Sequence, residues 1–134
     1  MDLQIFVDRW HNIVDNKRMD LMEDLLDDNA VLISPVVHTP LVGKETTAKY
    51  LTAARHVFVN DSFEYTRVFR GVDSVVFEFE TMINDISVNG VDMITLSNDG
   101  KITEFRVMVR PLKAVNLIHN MMGSSLQEME KDNQ

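Results

Sequence analysis

The chain contains no cysteine. Disulfides, thiol nucleophiles and cysteine-ligated zinc are therefore excluded. It also lacks any cluster of lysine and arginine: 13 basic residues stand against 21 acidic ones, giving a formal net charge of −8. Nucleic acid and anionic membrane surfaces require concentrated positive charge, so neither is expected as a main partner. No apolar run approaches the ~18 residues of a membrane span. The N-terminus, MDLQIFVDRW, is acidic and amphipathic, unlike a signal peptide. Internal repeats, low-complexity tracts and linkers are missing as well. The expectation is a single domain, residues 1–134, located in the cytoplasm.

What is present is strong periodicity. Leu3, Phe6, Val7, Trp10, Ile13 and Val14 recur at helical spacing behind Asp2, which predicts a helix over 3–15 with Asp2 as its N-cap. Met19, Met22, Leu25 and Leu26 predict a second, shorter helix closed by Asp27-Asp28-Asn29. AVLIS (30–34) reads as a short strand and SPVVHTPLVG (34–43) as a loop. Thr47, Leu51, Ala54 and Phe58 mark a helix over 44–58. Four strands follow, FEYTRVF (63–69), SVVFEFETMI, ISVNGVDMITLS and KITEFRVMVR, with a hairpin turn at Asn98-Asp99-Gly100. A final helix begins at Pro111 and carries Leu112, Val115, Ile118, Met122, Leu126 and Met129. It has a possible break at Gly123 and a fraying tail from Glu128. Helices segregated from antiparallel strands indicate an α+β fold.

Alternation along the strands isolates one residue. Side chains of a strand face opposite sides with period two. Val75, Phe77, Phe79, Thr81 and Ile83 share one face of their strand, and Thr103, Phe105, Val107 and Val109 share one face of the last. Whether the intervening turn falls at Asn84-Asp85 or at Asn89-Gly90, Asp92, Ile94 and Leu96 join this apolar face. A buried, unpaired carboxylate is costly and tends to hold its proton. Asp92 is accordingly the leading site candidate. Two structural alternatives stand beside that reading: a buried partner such as the Trp10 N–H, or a position near enough to the surface to reach water. The opposite face mixes Val76, Val91, Met93 and Met108 with Glu78, Glu80, Glu104, Arg106 and Arg110, a composition suited to a subunit interface or to a solvated face.

The words FVDRW, LLDDNAVLISPV, PLVGKETTAKYL and GVDMITLSNDGKITEFRV, in this element order, resemble the nuclear transport factor 2-like superfamily, nearest its SnoaL-like and ketosteroid-isomerase-like branches. The resemblance covers residues 3–125. It implies a cystatin-like cone, a curved antiparallel sheet wrapped around helices, with a pocket in its open end and dimers packed through the sheet. The steroid isomerases of the superfamily use a Tyr in the first helix, a base Asp at the end of the first strand and a protonated Asp on a late strand. Those positions here carry Trp10, Ser34 and Asp92. One of three is retained, so the isomerase mechanism is not expected in that form. SnoaL-type cyclases resemble the chain equally, and in them a single pocket carboxylate acts as acid and base.

The expected function is recognition of a small apolar organic molecule, with cofactor-free isomerase, cyclase or hydrolase chemistry as its catalytic form. Asp92 is the candidate acid, and His38, in the PVVHTP loop, is the candidate base or else a surface histidine. Trp10, Val14, Ser34, Leu51, Phe58, Phe77, Phe79, Ile94, Phe105 and Val107 are the expected ligand contacts. Tyr50 reads equally as a pocket or a surface residue, and His11 and His56 read as helix-surface residues. No histidine pair has metal-ligand spacing with a carboxylate, so neither metal nor cofactor is expected. A homodimer through Val76, Val91, Met93 and Met108 is expected. The alternative is a non-catalytic dimerisation or protein-interaction module whose interior is filled by its own side chains.

Overall fold

A computed structural model describes residues 2–132, with side chains described through residue 127. Helix α1 spans Leu3–Asp15 and is capped as expected, the Asp2 carboxylate accepting from the Gln4 amide at 2.9 Å. Two short 3-10 turns, Met19–Leu21 and Glu23–Leu25, replace the expected second helix, and strand β1 (Leu26–Ile33) starts four residues earlier than AVLIS suggests. Asp27-Asp28-Asn29 lies inside β1, where the register slips between Leu26 and Val31. That irregularity lets polar residues sit in a strand that periodicity assigns to a helix end. The expected loop contains a two-residue strand, β2 (Leu41–Val42). Helix α2 (Lys44–Phe58) matches its expected span.

Strands β3 (Glu64–Arg70), β4 (Ser74–Ile83), β5 (Ile86–Leu96) and β6 (Ile102–Arg110) complete a curved six-stranded sheet of order β2-β1-β6-β5-β4-β3. All pairings are antiparallel except β1 with β6, which is parallel. The β4–β5 turn falls at Asn84-Asp85. Both residues have positive φ, 50° and 65°, as a tight two-residue hairpin requires, and Ile83 pairs with Ile86 to close it. At the far end a bulge between Thr95 and Leu96 shifts β6. Ile102 turns inward in consequence, while Thr103, expected on the core face, is half-buried and donates to the Thr95 carbonyl.

Helix α3 (Leu112–Asp132) runs through Gly123 without the expected break. Pro111 precedes it, its carbonyl accepting from the Val115 amide. Ala114, Ile118, Met122 and Ser125 form its buried stripe, whereas Leu112 is exposed. Met129 lies outside the described side chains.

The inner face of the sheet is an aromatic layer. Trp10 packs on Phe105 at 5.3 Å and Phe58 on Phe79 at 5.4 Å, so α1 and α2 both close over it. Phe77 and Phe105 are essentially inaccessible to solvent. Burial of each contributes roughly 2–3 kcal/mol. Gly90, opposite Phe79, is required by this layer: a Cβ there would stand 2.5 Å from the Phe79 ring and 2.7 Å from the Met108 carbonyl. No described helix is long and apolar enough to cross a membrane.

Candidate functional site

Asp92 faces the apolar layer, its neighbours across the ladder being Phe77 on β4 and Val107 on β6. Only 8% of it is accessible. Of the structural alternatives read from the sequence, the first comes nearest, with an intermediary the sequence did not suggest. The Tyr65 hydroxyl donates to Asp92 Oδ2 at 3.0 Å and accepts from Trp10 Nε1–H at 3.0 Å. Trp10, Tyr65 and Asp92 thus form a relay from α1 through β3 to β5. Its direction is set by the indole N–H, which can only donate.

Burial pushes the Asp92 carboxyl up to about 7, with the Tyr65 hydrogen bond pulling the other way. Burial, and next the charge of Asp92, push the Tyr65 hydroxyl well above its usual value. Tyr65 therefore remains a neutral donor throughout the range in which Asp92 titrates. Asp92 Oδ1 has no hydrogen-bond partner among the described residues. No fully buried side-chain N or O atom lacks one, so Oδ1 keeps an open side. Because Tyr65 donates to Oδ2, the proton of the neutral acid resides on Oδ1.

That open side is a cavity. Its volume is about 50 Å³. That exceeds what a single water needs. Its wall is apolar apart from Asp92, Tyr65, Trp10 and Arg55.

Of the residues expected to contact a ligand, Trp10, Val14, Leu51, Phe58, Phe79, Phe105 and Val107 line this cavity together with Asp92. Phe77 and Ile94 do not; they are buried in the core beside it. Ser34 is buried but outside the wall, its hydroxyl 2.6 Å from that of Tyr50. Tyr50 is itself buried, and burial raises its hydroxyl pKa. His38 is exposed in the loop before β2 and does not line the cavity. His11 is half-buried, not on the surface, with its ring edge-on to Tyr65 at 5.5 Å and to Phe77 at 5.4 Å. His56 is exposed, as expected.

Sequence reasoning missed Tyr65, Arg55 and the apolar wall residues Met19, Met22, Ala54, Val59 and Phe63. Tyr65 lies on an edge strand with a register slip between Tyr65 and Arg67, and most of that strand is exposed, which erases the alternation that marked Asp92. Arg55 carries its own cue, a cation one residue beyond the apolar stripe of α2. Among the described residues, no group of three His, Asp or Glu side chains is placed to hold a metal ion.

The family model of the SnoaL-like domain matches residues 7–105. No curated protein matches the chain. A steroid delta-isomerase from Pseudomonas aeruginosa is similar to it at 29% identity and TM-score 0.90, covering 96% of this chain and 93% of that one. An uncharacterised protein with a cystatin-like fold from Silicibacter pomeroyi is 26% identical with a TM-score of 0.81, over 89% of this chain and 83% of its own. An epoxide hydrolase/cyclase-like enzyme of pyran ring formation in the polyether salinomycin shares the fold, at 23% identity and TM-score 0.64, over 80% and 89% of the two chains. With most of its length matched by one family model, the chain belongs to the SnoaL-like domain family.

Proposed function

We propose that this protein binds a small, mostly apolar organic molecule carrying one acceptor oxygen, and that Asp92 in its neutral form donates a hydrogen bond to that oxygen. The observation that carries this reading is the open side of Asp92 Oδ1 in an apolar cavity, with Oδ2 occupied by Tyr65. A carboxylic acid kept neutral by its surroundings is an effective donor, and near pH 7 it can also give or take a proton. The likeness to a steroid delta-isomerase and to an epoxide hydrolase/cyclase-like enzyme supports an organic ligand. The cavity wall holds no second carboxylate and no imidazole. This favours retention of the ligand, or protonation of a carbonyl or epoxide oxygen by Asp92 alone, over the two-group proton shuttle of an isomerase.

The single tryptophan supplies the test, because Trp10 contributes one indole N–H signal from inside the site. Titrating propiophenone against propylbenzene, and following that signal by NMR, compares a ketone with a hydrocarbon of similar shape. The ketone is expected to bind about tenfold more tightly, the equivalent of one hydrogen bond of about 1.4 kcal/mol. Equal affinities, or no shift with either compound, overturn the reading.

The outer face of the sheet supports a second proposal, that two copies associate through it. Met108 is 50% exposed and pairs with half-buried Val91, and half-buried Val76 and Met93 pair with each other on the same face. Light scattering of the wild-type chain and of Val91→Lys measures this directly. The expected result is a dimer that the lysine converts to monomer, and a monomeric wild type refutes it.

A further inference from the structure

Resting on the reading of the cavity as a ligand site, we propose that Arg55 receives a carboxylate of the ligand, which makes the ligand class an apolar oxo acid. Arg55 is half-buried on α2 and is the one cation among the residues lining the cavity. Its Nε donates to the Val14 carbonyl at 2.9 Å. That carbonyl is near the C-terminal end of α1 and would otherwise lack a partner there. The tether fixes the guanidinium plane and leaves both terminal nitrogens available. Among the described residues Arg55 has no ion pair with any carboxylate.

A planar, oriented fork whose two terminal nitrogens form one free edge matches a carboxylate bidentately, and its immobility lowers the entropy lost on binding. No fully buried side-chain nitrogen among the described residues lacks a partner, so the terminal nitrogens of Arg55 are open to solvent, where an incoming carboxylate can reach them. The chain's net charge of −8 also works against capture of anions by long-range attraction, so an anionic ligand needs a local cation. With the acid of Asp92 on one wall and Arg55 on another, the cavity is polarised for a molecule with a ketone or epoxide oxygen and a carboxylate separated by apolar carbon.

Three aryl keto acids of increasing chain length, 4-oxo-4-phenylbutanoate, 5-oxo-5-phenylpentanoate and 6-oxo-6-phenylhexanoate, are titrated beside their methyl esters, with the Trp10 indole signal as readout. At least one acid is expected to bind about fivefold more tightly than its ester, and the preference shrinks as salt rises. In Arg55→Gln, which loses the charge but retains a side-chain N–H donor, the acid-to-ester ratio falls to about one. In Arg55→Lys, which keeps the charge, a preference persists. If propiophenone binds but acids and esters bind alike at every length, the carboxylate assignment is overturned while the ketone site stands. If neither propiophenone nor any acid moves the Trp10 signal, both fail together.

Discussion

Two tyrosine hydroxyls are buried in this protein, and each meets a polar side chain on a distant segment. Tyr50 meets the Ser34 hydroxyl at 2.6 Å, and Tyr65 meets the Asp92 carboxylate at 3.0 Å. In both, burial raises the phenol pKa. The partners make the difference. Ser34 is neutral at every accessible pH, also accepts from the Val36 amide, and lies outside the cavity wall. The Tyr50 pair is closed: its polar atoms are satisfied by protein, and it holds α2 to the end of β1. Asp92 can charge, has an oxygen left over, and opens on apolar space. A buried polar pair marks a site when it leaves hydrogen-bonding capacity facing a cavity, and marks architecture when it does not.

The comparison predicts its own largest effect at Asp92. The folded-state pKa of about 7 lies above the usual 3.8, so between these values the native state binds more protons than the unfolded chain. Stability from this group is therefore greatest below about pH 4, falls as pH rises through 7, and levels off above it. A displacement of about three pH units corresponds to about 4 kcal/mol between the two limits. Asp92→Asn removes the titration. Urea unfolding of both proteins is expected to show the variant gaining about 2–3 kcal/mol on the wild type between pH 5 and pH 8. Parallel profiles would mean that Asp92 is not held as described.

Tyr65→Phe comes next. It leaves the Trp10 N–H without its acceptor and Asp92 without its donor, at a cost of about 1–3 kcal/mol. It also raises the Asp92 pKa further, because the lost hydrogen bond favours the charged form. Carboxyl NMR titration checks the shift, and an unchanged midpoint would remove Tyr65 from the relay. Tyr50→Phe sharpens the contrast from the other side. It is expected to cost about 1 kcal/mol, independent of pH, and to leave both the Asp92 midpoint and the Trp10 indole signal in place. Movement of either signal would show that the two pairs are coupled. The smallest effect belongs to His38→Ala. This exposed side chain is expected to change stability by less than about 0.5 kcal/mol and to leave the Asp92 titration untouched.

How far the site was legible follows from the same physics. Periodicity located α1 and α2 to the residue, since an amphipathic helix writes its buried face into local spacing. It failed at β1, where an irregular register admits the run Asp27-Asp28-Asn29, and at β6, where one bulged residue exchanges Thr103 for Ile102 on the inner face. His38 looked suited to a base because its loop was expected near the pocket mouth. Loop direction is set by packing rather than by spacing, and the side chain points into solvent.

From the order of residues alone it followed that Asp92 faces Phe77 and Phe79, because strand parity is local and either candidate turn preserves it. Only the folded chain determined what meets that carboxylate. Tyr65 is 27 residues away on a mostly exposed edge strand, Trp10 is 55 residues from Tyr65, and Arg55 reaches a carbonyl 41 residues off. Such pairings depend on sheet curvature and on where the helices close over it, and no short-range pattern encodes either.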